Sequence, residues 1–136
     1  MDKGCLIGLA GGLGSGKSTA AQYFACQYSF EILSFGEMLT DILEKRGKEV
    51  TRENLQAMGN QLYRALGPGG LTQMLMQKVH LCKKYVIDGI RHISVYEFLK
   101  AHYDNKFILC YLEAPTIVRF QRLVSRRRFT QRLSLE

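Results

Sequence analysis

From position 11 the chain reads Gly11-Gly12-Leu13-Gly14-Ser15-Gly16-Lys17-Ser18-Thr19, the G-x-x-x-x-G-K-[ST] spacing of a phosphate-binding loop. Its residue types carry the chemistry. Glycines at 11, 12, 14 and 16 permit backbone conformations closed to residues with a Cβ, so successive N–H groups can turn inward around an anion. A helix opening near Gly16 adds unpaired N–H groups and the positive end of its dipole. Lys17 then reaches the outer phosphates as a mobile point charge, and the Ser18 hydroxyl can ligate Mg²⁺. The pattern points to ATP gripped by Gly11, Gly12, Gly14, Ser15, Gly16, Lys17, Ser18 and Thr19.

Other groups could complete such a site. Asp88 closes the apolar run Tyr85-Val86-Ile87, where a carboxylate would share Mg²⁺ with Ser18. Arg91, three residues on, offers a planar fork suited to a second ligand's phosphate. Arg119, Arg122 and Arg126 recur at i, i+3 and i+7, with Ile117, Phe120 and Val124 on the opposite side of the same helix. Such a stripe is either a solvated face or a device that stabilises a phosphoryl group in transit, with Arg122 and Arg126 the candidates for that role. His80, His92 and His102 show no pairing with a nucleophile and are assigned no chemistry.

These groups need elements to hold them. Cys5-Leu6-Ile7-Gly8-Leu9-Ala10 reads as a buried strand, and Ala20, Ala21, Phe24 and Ala25 recur at helical spacing after the loop. A second strand spans residues 30–34 and ends in the turn-like Ser34-Phe35-Gly36. Met38, Leu39, Ile42 and Leu43 then mark a helix that Gly47 terminates. Thr51-Arg52-Glu53-Asn54 predicts an N-terminal cap for a helix carrying Leu55, Met58, Leu62 and Leu66, closed by Gly67-Pro68. A further helix is expected over residues 70–82. The third strand is Tyr85-Val86-Ile87-Asp88-Gly89, and Ser94-Val95-Tyr96-Glu97 fits a capping box for the helix after it. Residues 107–112 make a fourth strand, and Pro115 suits the first turn of a last helix. Strands alternating with helices imply an α/β fold with a parallel sheet and right-handed crossovers. Ligands bind such sheets beyond the carboxyl ends of the strands. There the glycine loop, Ser34-Phe35-Gly36 and Asp88-Gly89-Ile90-Arg91 converge.

Composition narrows the class. A chain of 136 residues with 46% hydrophobic and 23% charged content suits one globular domain, expected over residues 1–136. Cys5, Cys26, Cys82 and Cys110 contain no C-x-x-C pair, and Cys5 and Cys110 fall in strands, so reduced buried thiols are expected. No apolar stretch is long enough to span a membrane, and the run after Lys3 lacks a cleavage signal, so the expected location is cytoplasmic. Net charge is +7, concentrated in Arg119, Arg122, Arg126, Arg127, Arg128 and Arg132. Such a tail can bind nucleic acid, but beside a phosphate loop a small phosphorylated ligand is favoured. Nothing in the sequence specifies an oligomeric state.

The residues also carry a family resemblance. Ile7 through Thr19 resembles the opening of dephospho-CoA kinases. Ser34-Phe35-Gly36-Glu37-Met38-Leu39 is similar to the S-T-G-D-[ML]-L element of adenylate kinases, and Asp88-Gly89-Ile90-Arg91 to their D-G-F-P-R. Together with Thr51-Arg52-Glu53-Asn54-Leu55 and Leu66-Gly67-Pro68-Gly69, the whole chain looks most like the dephospho-CoA-kinase-like branch of nucleoside monophosphate kinases. The resemblance implies a three-layer α/β/α P-loop fold and an ATP- and Mg²⁺-dependent kinase. Its acceptor would be a nucleoside monophosphate or related nucleotide metabolite, held by Ser34, Gly36, Glu37 and Arg91. Dephospho-CoA is the alternative acceptor, and a nucleotide-binding switch or RNA-associated ATPase the alternative of another class. Departures exist. An acceptor-binding arginine of adenylate kinases falls on Thr40, so Arg52 or Arg64 would have to substitute; the loop to Arg91 is one residue shorter; and segments typical of dephospho-CoA kinases after strands two and three are missing. The family has a lid, another helix and a fifth strand after the arginine-rich segment. The chain is therefore expected to be C-terminally incomplete and to lack the final strand after the lid.

Overall fold

The structure is a computed structural model and describes residues 4–80 and 83–135, with side chains up to Arg126. The side chains of Arg127, Arg128 and Arg132, together with Leu81 and Cys82, lie outside the described residues. Four strands form one parallel sheet in the order β2-β3-β1-β4: β1 (Cys5–Gly11), β2 (Glu31–Ser34), β3 (Lys84–Asp88) and β4 (Phe107–Leu112). Between them run α1 (Lys17–Tyr28), α2 (Phe35–Lys45), α3 (Arg52–Met76) and α4 (Ile93–Tyr103), and α5 (Thr116–Leu135) follows β4.

Side-chain alternation on the central strands builds two cores. Leu6, Ala10, Leu33, Tyr85, Ile87 and Phe107 point to one face, where Leu75 and Met76 of α3 and Val95 and Leu99 of α4 cover them. Ile7, Leu9 and Val86 point to the other and meet Ala21 and Phe24 of α1. Helices on both faces make the three-layer α/β/α arrangement, and strands buried on both sides explain the near-continuous apolar runs. β4 is an edge strand. Ile108, Leu109 and Tyr111 on it are exposed, as are Ile117 and Phe120 on α5.

Several local signals act as their chemistry requires. The Thr51 hydroxyl accepts the Asn54 N–H at 3.1 Å, and the Asn54 side-chain amide donates to the Glu49 carbonyl at 2.8 Å, which fixes the start of α3. At Gly67 the backbone leaves helical geometry (φ 72°, ψ 174°), a left-handed setting that suits glycine, so α3 is two helical runs joined at a sharp break.

Other expectations need correction. Ser34-Phe35-Gly36 is no separate turn: Ser34 is the N-cap of α2 and its hydroxyl accepts the Glu37 N–H at 3.4 Å. The helix expected over 70–82 ends at Met76. The capping box at Ser94 does not form, because α4 already starts at Ile93 with His92 as N-cap and no side-chain cap bond. Gly89 and Ile90 both donate to the Leu9 carbonyl, at 3.1 and 2.8 Å, which pins the preceding loop short and brings the helix in early. Pro115 stands just outside α5, its carbonyl accepting the Arg119 N–H at 3.0 Å. Cys5 and Cys110 are half-buried rather than buried, since one lies at the foot of the sheet and the other on its edge strand; with the exposed Cys26 they are free thiols.

Candidate functional site

The sheet register assembles the site. Leu9 of β1 pairs with Asp88 of β3, and Asp88 pairs with Ser34 of β2, so three carboxyl ends stand in one row. From β1 the chain enters the glycine loop. Gly14 (φ 79°) and Gly16 (φ 102°) hold left-handed conformations that let the loop fold back before α1 begins. A Cβ at Gly12 would run into the Arg119 guanidinium, and one at Gly14 would press on the Arg119 backbone at 3.0 Å. The glycines thus serve both the turn and the close approach of α5.

Lys17 lies across this loop, donating to the Gly11 carbonyl at 2.9 Å and the Gly12 carbonyl at 3.0 Å. An ammonium has three N–H donors, so one remains for a ligand. Its pKa is lowered from the usual lysine value, mainly by burial and then by the Arg91 guanidinium; Asp88 opposes the shift and Arg126 adds to it. Three other sequence-predicted residues are therefore within electrostatic reach of Lys17. The Ser18 hydroxyl donates to Asp88 Oδ2 at 3.0 Å, joining residues 70 positions apart in the chain.

Helix α5 completes one side. Arg122 donates to the Gly14 carbonyl at 2.9 Å. Arg119 donates through Nε to the Ala114 carbonyl at 3.1 Å and through Nη2 to the Thr116 hydroxyl at 3.3 Å, and its guanidinium lies against Gly12. The basic stripe therefore faces the loop, and Ile117 and Phe120 face outward at 64% and 62% exposure. The Gly14 carbonyl is one reason: it needs a donor, which the Arg122 guanidinium provides and a leucine-like side chain would not. Sequence reasoning singled out Arg122 and Arg126 and left Arg119 as a member of the stripe. An open cavity of about 500 Å³ lies between α1 and α5, lined by Ser15, Gly16, Thr19, Ala20, Tyr23, Phe24, Arg122 and Arg126. Tyr23 went unnoticed, although it follows Thr19 at i+4 on one helical face.

The remaining predicted residues fall on the other side of the row. Arg91 and Glu37 are exposed, Gly36 offers open backbone at the start of α2, and Ser34 is occupied as its cap. Thr40, which stands where adenylate kinases carry an arginine, donates to the Gly36 carbonyl at 2.9 Å, and Arg52 and Arg64 are exposed on α3.

The residues present fit a nucleotide phosphate. Among the described residues Ser15 Oγ is the one buried side-chain polar atom without a hydrogen-bond partner, and it sits in the glycine loop beside that cavity. Ser18 and Asp88 supply two oxygen donors, the kind of partial set with which Mg²⁺ is held when phosphates and water complete its shell. No group of three or more His, Cys, Asp or Glu side chains that could hold a metal occurs among the described residues.

A sequence model of the AAA_17 family, described as an AAA domain, matches residues 10–135. The UPF0200 protein of Pyrococcus horikoshii is 32% identical over 128 residues, covering 90% of this chain and 68% of that protein. A candidate kinase of Chloroflexus aurantiacus superposes with a TM-score of 0.64 at 18% identity, covering 96% of this chain and 71% of that one. Shikimate kinase from Acinetobacter baumannii, in complex with shikimate, gives a TM-score of 0.53 at 20% identity, covering 89% of this chain and 63% of that one. The chain belongs to the AAA_17 family, is a relative of the UPF0200 proteins and has a P-loop kinase-like fold. It spans from 39% to 65% of the length of several curated relatives. No helix among the described residues is long and apolar enough to cross a membrane.

Proposed function

We propose that this member of the AAA_17 family is an ATP- and Mg²⁺-dependent kinase that phosphorylates a nucleoside monophosphate or a related nucleotide metabolite. One observation carries the reading: the Ser18–Asp88 hydrogen bond joins the phosphate loop to the third strand, and Lys17 feels the charges of both Asp88 and Arg91. When bound, ATP supplies the phosphoryl group and Mg²⁺ the charge that neutralises it. Lys17 contributes its free N–H to the outer phosphates, and the loop amides cradle the inner ones. Ser18 and Asp88 hold the metal side of the site. Arg91 takes the phosphate of the acceptor, its fork matching two oxygens at once. Arg122 and Arg126, beside the loop, offset the negative charge that spreads over the phosphoryl oxygens in transit. Positioning and electrostatics supply such catalysis, so no covalent nucleophile is needed.

The orientation of α5 favours this reading over an RNA-associated ATPase. Arg122 is bonded to the Gly14 carbonyl of the loop and Arg119 to the Ala114 carbonyl and the Thr116 hydroxyl, whereas a nucleic-acid surface needs basic groups left for phosphates. The test is ADP release from ATP with a panel of nucleoside monophosphates, dephospho-CoA and RNA. Stimulation by a monophosphate is the expected result. Stimulation by RNA alone would refute the kinase, and stimulation by dephospho-CoA alone would move the acceptor to the coenzyme A branch.

A further inference from the structure

A pair of rings has one member next to Arg91 in the chain. His92 follows Arg91 directly and is exposed, and its ring takes no part in capping α4; the backbone carbonyl of His92 does that, accepting from Val95 at 3.1 Å and Tyr96 at 3.3 Å. The ring instead meets that of Tyr63 on α3, with centroids 5.4 Å apart and planes inclined by 40°. Tyr63 is half-buried, and its place on α3 is informative. Four residues earlier, Gly59 faces Leu39 of α2; six residues later and just past the break at Gly67, Gly69 faces Phe98 of α4. Taken over both its runs, α3 therefore passes from α2 to α4. Those two helices start at the carboxyl ends of β2 and β3, and Tyr63 stands between the two contacts. The crossing helix and the loop carrying Arg91 touch through these two rings.

Building on the kinase reading, the geometry points to Tyr63 and His92 as the specificity-determining residues of the acceptor site: an aromatic wall on which a nucleobase stacks while Arg91 takes the phosphate. The chemistry selects this class of acceptor. A hydroxy acid or a sugar phosphate has no π-face to set against two rings, and a purine or pyrimidine does. Stacking tolerates every base, so the wall distinguishes nucleotides from other phosphorylated acceptors and not one base from another.

The test compares nucleoside monophosphates with ribose 5-phosphate, which keeps the phosphate and the sugar and lacks the base. Binding to the full chain is measured by calorimetry in the presence of a non-hydrolysable ATP analogue. The parent protein should bind at least one monophosphate about tenfold more tightly than ribose 5-phosphate, within the range found when a base loses its aromatic partner. Tyr63→Leu should lower monophosphate affinity to the ribose 5-phosphate level and leave ribose 5-phosphate itself unchanged. Tyr63→Phe should retain the preference. His92→Ala, which leaves α3 intact, should reduce the preference in the same direction. Equal weakening of both ligands by Tyr63→Leu would mean that the rings merely latch α3 to the loop, and the inference would be wrong. Equal affinity of the parent for both ligands would likewise overturn the stacking wall and leave the kinase standing. A parent that binds the ATP analogue and neither acceptor would instead strike at the kinase reading and take the wall with it.

Discussion

Replacing Lys17 by alanine tests the phosphate loop at its most exposed assumption. In the folded chain Lys17 makes two hydrogen bonds to loop carbonyls and keeps a third donor for a ligand. Because the side chain is only partly buried, its loss should cost the ligand-free protein little, about 1 kcal/mol at the usual worth of such bonds. ATP binding should suffer more. A hydrogen bond from a charged group contributes about 1.5–3 kcal/mol, which corresponds to about 10- to 150-fold in affinity. At an ATP concentration of about one hundred dissociation constants, the parent should gain roughly 2.7 kcal/mol. A tenfold loss of affinity reduces that gain to about 1.4 kcal/mol, and a hundredfold loss to about 0.4 kcal/mol. For a domain of this size the parent's gain corresponds to a rise in Tm of about 10 °C, so a thermal melt with ATP and Mg²⁺ resolves the difference easily. If Lys17→Ala keeps the full ATP-induced shift, the loop does not hold phosphates through Lys17.

Further outcomes follow from the same geometry. Asp88→Asn preserves shape and removes the charge that favours Mg²⁺; metal-free ATP binding should hold steady while metal-dependent turnover falls at least about tenfold, and unchanged Mg²⁺ titration would reduce Asp88 to a turn residue. Arg91→Lys breaks a two-pronged grip, so kcat/KM for the acceptor should drop by about 1.5–3 kcal/mol with ATP affinity retained; equal loss of both would assign Arg91 to the donor. The lowered pKa of Lys17 also has a consequence in alkali. Because the unfolded chain holds this proton more tightly, the ligand-free protein carries a penalty at neutral pH that is relieved as pH rises through the folded pKa toward 10.5. Lys17→Met should flatten that part of the Tm profile, and an identical alkaline slope in parent and variant would contradict the burial of the ammonium.

Much of this site was legible in the residues because its chemistry is local. The glycine loop is contiguous, the strand before it is apolar on both faces, and Thr51 satisfies the first free N–H groups of α3 whatever surrounds it. What escaped depends on tertiary context. Ser94 and Glu97 have the right spacing for a capping box, but the Leu9 carbonyl holds both Gly89 and Ile90 and moves the helix start two residues upstream. Periodicity likewise found both stripes of α5 without saying which faces inward. That rule assumes a neighbour that is apolar core, and here the neighbour is a loop of carbonyls.

This inversion bears on how the loop is kept ready. A phosphate nest needs its N–H groups turned toward the anion, which sends carbonyls the other way. Lys17 takes those of Gly11 and Gly12, Arg122 that of Gly14, and Ser15 N–H that of Gly12 from within the loop. The carbonyl side is thus tied down by cations that a phosphate would also attract. Arg122 is exposed and costs little to hold there, Lys17 bears the burial penalty, and together they fix the loop without filling it. Ser15 Oγ, a buried hydroxyl without a hydrogen-bond partner, belongs to the same loop. A loop preorganised in this way meets its ligand without first reorganising, which is where binding energy at a flexible glycine-rich segment would otherwise be lost. That is the physical reason for a basic helix to turn its charges toward the loop at this end of the sheet.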